Sequence, residues 1–218
     1  MGGVWQAFQD NNGWDQTWIH IKLSIVALAM ATVVGLTLGV LCAKIGRGAA
    51  FVVVTVSNLG RTVPTFALIA LILALTSLGF WPAVFGLFLL GIPPILLNTF
   101  TGVKEVDRGV TEASRGMGFR PYQVLGRVEL PMAMPLIFAG IRTSSVQIIA
   151  TAALAGLVGA DGLGVIVSSG LSNNQDDVIL AGAIPITVLA ALSEFVFGGA
   201  ERVATPRGLR LSRTPTIR

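Results

Sequence analysis

Long stretches of this chain carry no charge at all, and this limits its possible folds more than any motif does. Leu23 to Ala43 is 21 residues without Asp, Glu, Lys or Arg, bracketed by Lys22 and Lys44. At ~1.5 Å per residue, a helix of that length crosses a hydrocarbon layer ~30 Å thick. Backbone groups find no partners in lipid, so a single span of this kind must be helical. Further apolar runs follow over most of the sequence. The expected fold is therefore an all-α integral membrane protein with about five transmembrane helices, near 22–43, 51–76, 82–101, 132–157 and 178–200, forming one domain over 1–218. Composition agrees, with 53% hydrophobic residues, 12% charged residues and a mean hydropathy of +0.78.

Prolines and glycines punctuate these runs. Ala49 to Gly60 is too short to cross alone, and Arg61 and Pro64 precede the apolar residues that continue to Leu75. Residues 51–76 thus read as one long or tilted helix broken near Pro64. Pro93-Pro94 is expected to break the middle of the third span, and Pro185 lies inside the fifth. The stretch 158–177 is rich in Gly, Ser, Asn and Asp. Its centre, 163–171, reads as a short surface helix or a partly re-entrant one. Gly35 and Gly39 form a G-x-x-x-G pair that either admits another helix or is incidental in a chain with 26 glycines.

Basic residues test this map independently. Two fall in 43–50, five in 102–130 and five in the tail 201–218, so 12 of 15 lie on one side; 76–82 and 158–177 hold none. The positive-inside rule makes that side cytoplasmic, which puts the amino terminus outside and the carboxyl terminus inside. The tail has two prolines and is expected to stay unfolded near anionic headgroups. Trp5, Trp14, Trp18 and Trp81 all fall on the outer side, as interfacial anchors do. The first eighteen residues lack a basic start and an apolar centre, so no cleavable leader is expected. The net charge of +4 and pI near 10 come from these membrane-flanking loops, which removes the case for nucleic acid.

Between two apolar runs lies the densest charged stretch, 103–131. It is too short to bury its own core and needs a partner to complete it. Glu105 to Gly116 predicts a helix ended by Gly116-Met117-Gly118, and Pro121 suits the first turn of a second helix over Tyr122 to Leu130. Small Ala113 and Ser114 beside Glu112 allow close approach of a foreign surface and offer it an ionic anchor. A solvated loop is the simpler alternative.

The same residues carry a resemblance. Glu112-Ala113-Ser114, three residues, Gly118, nine residues, Val128, one residue and Leu130-Pro131 is similar to the signature of MetI-like permease subunits of binding-protein-dependent ABC importers. Ser114 stands for the family's second alanine and Val128 for its isoleucine. The resemblance implies an ABC type I importer permease fold in the cell inner membrane, with a coupling helix that docks on a cytosolic ABC ATPase dimer. Glu112, Ala113, Ser114, Gly118, Leu130 and Pro131 are then the ATPase-coupling residues. It also implies a second permease subunit, identical or related, and an extracytoplasmic solute-binding protein. No cofactor is expected in this chain, ATP and Mg being bound by the partner ATPase. Arg61-Thr62-Val63-Pro64-Thr65, Ala139 to Ser144 and Gly159 to Gly164 resemble the osmoprotectant branch, whose solutes are glycine betaine, choline, carnitine or proline.

Other chemistry is thinly represented. No G-x-x-x-x-G-K-[ST] occurs, so ATP hydrolysis through a phosphate-cradling loop is not expected and the chain reads as a transport subunit, not an enzyme. His20 is the single histidine and Cys42 the single cysteine, and no metal site is expected. Arg61 and Arg142 each fall ~16 Å into a span, where an unpaired guanidinium costs at least ~2.5 kcal/mol, so both must face protein or water. With Pro64 and Glu194 they are candidates for the translocation path. Arg61 better fits carbonyls freed at Pro64, and Arg142 fits either role. Glu194 better fits snorkelling to headgroups than pairing with Arg142. Asp161, Asp176 and Asp177 are candidate contacts for an external binding protein, solvated turn acids being the simpler reading. Aromatic residues are 7% of the chain and scattered, so a selective cation–π cage is not expected. Permeation of another small solute such as an amino acid, a membrane scaffold recruiting a cytosolic partner through 103–131, and an autonomous channel remain the alternatives.

Overall fold

The computed structural model describes residues 2–45, 47–62, 64–75, 79–157 and 159–205. It is helical throughout, with no strand among the described residues. A short helix α1 (Gly2–Asp10) precedes α2 (Gly13–Ile45), which is followed by α3 (Arg47–Thr62), α4 (Thr65–Leu75) and α5 (Phe80–Lys104). After these come α6 (Arg108–Gly116), α7 (Pro121–Val124), α8 (Leu130–Leu157), α9 (Leu163–Asn173) and α10 (Asp176–Ala204). Four helical stretches are long and apolar enough to cross a membrane: Gly13–Ile45, Phe80–Lys104, Pro121–Gly156 and Asp176–Ala204. The stretch expected as a second span is two helices, α3 and α4. They part at Pro64, whose carbonyl accepts the first hydrogen bond of α4 from the Leu68 N–H, 3.0 Å.

The core is the meeting of α2, α5 and α8. Leu23, Ala27, Leu87, Ile148 and Ala152 form its upper layer; Ala31, Ile95, Phe100, Ala133 and Ile137 form the lower one. Small residues set the spacing. A Cβ on Gly35 would lie 2.8 Å from the Ile95 Cβ and one on Gly39 2.6 Å from the Thr99 Cβ, so the G-x-x-x-G pair is where α2 meets α5.

The expected break at Pro93-Pro94 is absent: α5 runs unbroken from Phe80 to Lys104. Two neighbouring helices and α5's own Asn98 supply polar partners here. The Ser57 hydroxyl donates to the Pro93 carbonyl (3.4 Å), the Ser144 hydroxyl to the Gly91 carbonyl (2.7 Å) and the Asn98 amide to the Pro94 carbonyl (2.8 Å). This is how bundles tolerate proline inside a span.

Two further expectations change and a third is made definite. The first span extends beyond 22–43, because α2 begins at Gly13. Residues 201–204 are not unfolded tail but the last turn of α10; residues 206–218 lie outside the described residues. The 159–177 stretch does hold the short helix expected at its centre, and that helix is enclosed instead of lying on the surface. Its helix α9 is wedged between α8 and α10, with Leu163 and Ile166 buried and a Cβ on Gly164 falling 2.1 Å from the Ala153 carbonyl oxygen. α1 packs beside it, with Ala7 and Phe8 buried against Leu163, Val178 and Ala181.

Candidate functional site

The charged stretch folds into a helix, a glycine corner and the start of a span. Asp107 caps α6, its Oδ1 accepting from the Val110 N–H at 3.2 Å, so the helix begins at Arg108 instead of Glu105. The Ser114 hydroxyl donates to the Val110 carbonyl at 2.7 Å, and Ser114 is buried on the inner face of α6. Glu112, Ala113 and Arg115 are exposed on the other face. The chain then turns at Gly118, whose φ of +87° suits glycine and strains other residues. The Arg120 N–H donates to Gln123 Oε1 at 2.8 Å, Pro121 opens α7, and Val124 anchors it inward. Met117 and Tyr122 are 70% and 64% exposed, which adds two apolar knobs to the surface around Glu112.

The second short helix is not separate from the next span. Leu125–Glu129 forms a π-turn in which the Leu130 N–H donates to the Leu125 carbonyl five residues back, and α8 continues directly. A wide turn before Pro131 removes the mismatch that its missing N–H would create in a regular ladder. Leu130 and Pro131 are thus half-buried residues at the base of the span, away from the exposed face that carries Glu112, Ala113 and Gly118.

Glu129 was not legible as a site residue. It is 5% exposed and forms an ion pair with Lys44 at the end of α2. Leaving the enclosed Glu129 charge without its partner would cost roughly 3–5 kcal/mol. The sequence signal was present only as an acid and a base at the same ends of two spans.

Arg142 also has partners. Its Nε lies 3.4 Å from Glu194 Oε1 and its Nη1 3.4 Å from Glu201 Oε2. Glu194 and Glu201 are seven residues apart, so two turns of α10 put both on one face, and the guanidinium lies over Gly198 between them. The expectation that Glu194 merely reaches headgroups is corrected by this pairing, and Glu201 joins the group. Arg61 ends α3 far from this cluster in sequence, and its side chain lies outside the described residues. Pro64 is exposed at the break between α3 and α4.

Asp161, Asp176 and Asp177 are all exposed at the end of the bundle opposite α6. Asp176 and Asp177 occupy the first turn of α10, where the helix dipole favours acids, and Asp177 Oδ1 accepts from the Val178 N–H at 3.0 Å. His20 is fully buried: its Nε2 lies 3.0 Å from the Ile149 carbonyl, so that nitrogen carries the hydrogen and ties α2 to α8. Among the described residues, no group of three or more His, Cys, Asp or Glu is arranged to hold a metal.

The aromatic residues are less scattered than their spacing indicates. Trp5, Phe8 and Trp14 converge with ring centroids 5.4–6.4 Å apart and line an apolar groove of about 550 Å³ against Leu180, Ile184 and Pro185. The rings contact one another, and no acid lines the groove.

Comparison with known proteins follows the same lines. Residues 35–207 match the family model described as "Binding-protein-dependent transport system inner membrane component". The chain is 40% identical over 215 residues to the carnitine transport permease protein OpuCB of Listeria monocytogenes, covering 98% of each chain. It is 36% identical over 212 residues to the choline transport system permease protein OpuBB of Bacillus subtilis, covering 96% of this chain and 97% of that one. Among solved structures, a chain of the inward-facing MetNI methionine ABC transporter superposes with a TM-score of 0.74 at 26% identity, covering 87% of this chain and 94% of that one.

Proposed function

Because the chain belongs to the family of binding-protein-dependent transport system inner membrane components, we propose that it is the permease subunit of an ATP-driven importer for a small osmoprotectant, with carnitine, choline and glycine betaine the leading cargoes. The observation that supports the coupling role is the exposed Glu112–Gly118 corner, which leads through Phe119 and Arg120 into the unbroken helical stretch Pro121–Gly156. A push on that corner reaches the bundle through a continuous helix. The chain is a transport component, and ATP with Mg would be held by a separate ATPase dimer seated on this corner. Glu112 would supply the ionic anchor, Ala113 the close approach and Gly118 the corner, while Ser114, Leu130 and Pro131 would hold it in shape.

Counting α3 and α4 together as one crossing gives five, with the amino terminus outside and the carboxyl terminus in the cytoplasm. The exposed Trp5, Trp14, Trp18 and Trp81, all at the end opposite α6, support that orientation. Asp161, Asp176 and Asp177 would then face the soluble binding protein, and a second permease subunit would complete the pore. Solute selectivity would belong to that binding protein.

Reconstitution in proteoliposomes tests the reading. Uptake of labelled carnitine, choline or glycine betaine should require the ATPase, ATP and the binding protein together, and unlabelled osmoprotectants should compete. Uptake without the ATPase would make the chain a channel, and no uptake under any combination would leave a scaffold. The likeness to MetNI favours one second reading, an amino-acid cargo. Competition by methionine, with none by quaternary amines, would select it.

A further inference from the structure

The exposed corner explains α6 and α7 but not the buried charge directly behind them. Glu129 is the last residue of the π-turn, is almost wholly enclosed, and is paired with Lys44 in the last turn of α2, a helix 85 residues away in sequence. Lys44 is 41% exposed at its side chain, so it could reach water without any partner; Glu129 at 7% could not.

We infer that the Lys44–Glu129 pair is a positioning contact that carries movement of the α6–α7 corner into α2 as well as α8. The inference rests on the importer reading above. A π-turn holds an extra residue, and it can relax by passing that residue one position along the helix, which swings the side chain it passes by ~100°. Here such a slip would turn Glu129 away from α2. The ion pair opposes the slip at the compliant point of the helix. Whatever α2 receives at Lys44 passes directly to α5, because Gly35 and Gly39 leave no gap between those helices. The pair thus joins all three core helices to the corner, where backbone continuity alone joins only α5 and α8.

A purely stabilising pair makes a different prediction, since well-packed apolar residues often replace a buried ion pair at no loss of stability. The decisive variant is Lys44→Met/Glu129→Leu, examined in the full importer in proteoliposomes, with membrane abundance, ATP hydrolysis and solute uptake each measured. The double variant is expected to accumulate normally and to hydrolyse ATP, while solute imported per ATP falls about fivefold or more. The exchange Lys44→Glu/Glu129→Lys should recover part of that ratio. An unchanged ratio in the double variant overturns the inference, as does an exchange no better than Glu129→Gln alone. Glu112→Ala is run alongside to separate this idea from the reading beneath it. If Glu112→Ala uncouples and the Lys44/Glu129 variants do not, only the positioning role falls. If Glu112→Ala leaves ATPase binding and uptake untouched, the coupling assignment itself falls.

Discussion

Replacing Arg142 by alanine removes a guanidinium that lies 3.4 Å from one carboxylate and 3.4 Å from another. The three side chains are 35%, 49% and 21% exposed for Arg142, Glu194 and Glu201, so neither pair is dry. Half-exposed pairs contribute about 0.5–1 kcal/mol each, and the better-covered Glu201 pair belongs at the upper end. The sum is about 1–2 kcal/mol, and the change also leaves two like charges two turns apart on α10. That is enough to alter the amount of folded protein several-fold. Because both acids already occupy the guanidinium, we predict that Arg142→Ala lowers membrane abundance several-fold while uptake per molecule stays within about twofold of the parent. Quantitative immunoblotting beside labelled-solute uptake measures both quantities. Glu201→Gln should reproduce most of the loss and Glu194→Gln less. A large drop in uptake per molecule at normal abundance would refute the argument and return Arg142 to the lining of the translocation path.

Gly118→Val should cost about 1–2 kcal/mol of local strain, because φ is +87° with open space around the position. Co-purification of the ATPase should weaken, Gly118→Asn being milder; full retention in the valine variant would remove the corner from the docking surface. Gly164→Ala places a methyl 2.1 Å from the Ala153 carbonyl oxygen, which is backbone and cannot swing aside. Abundance should fall sharply, and a normal level would mean that α9 is not held against α8. Gly39→Val should push α2 off α5, where a Cβ already falls 2.6 Å from the Thr99 Cβ, lowering thermal stability by about 1–3 kcal/mol. An unshifted detergent melting curve would contradict this packing.

The apolar runs located the crossing helices because lipid leaves a backbone few options, and the Asp107 cap and Gly118 corner follow from local chemistry. Proline was the misleading signal. Pro93-Pro94 read as a break and Pro131 as the start of a separate run, yet Ser57 and Ser144 reach the carbonyls around the first, and a π-turn carries the helix through the second. Neither remedy is visible in a window of sequence. The same holds for partners brought together by packing: Lys44 with Glu129, Arg142 with Glu194 and Glu201, and His20 with the Ile149 carbonyl. The short helix α9 was legible at 163–171, but its enclosure was not, because its glycines show their purpose only when Ala153 and Ile179 are seen pressing against them.

The unbroken helix from Pro121 to Gly156 also behaves as a lever. Its 36 residues amount to ~54 Å of rod. Near its midpoint Gly140 touches α5, where a Cβ would meet the Asn98 Cβ at 2.8 Å and the Pro94 carbonyl oxygen at 3.0 Å. A rod held at its centre moves its two ends in opposite directions. A tilt of ~10° about that fulcrum would draw the Pro121 end ~5 Å one way and swing the Gly156 end ~4 Å the other, so an opening that narrows beside one end widens beside the other.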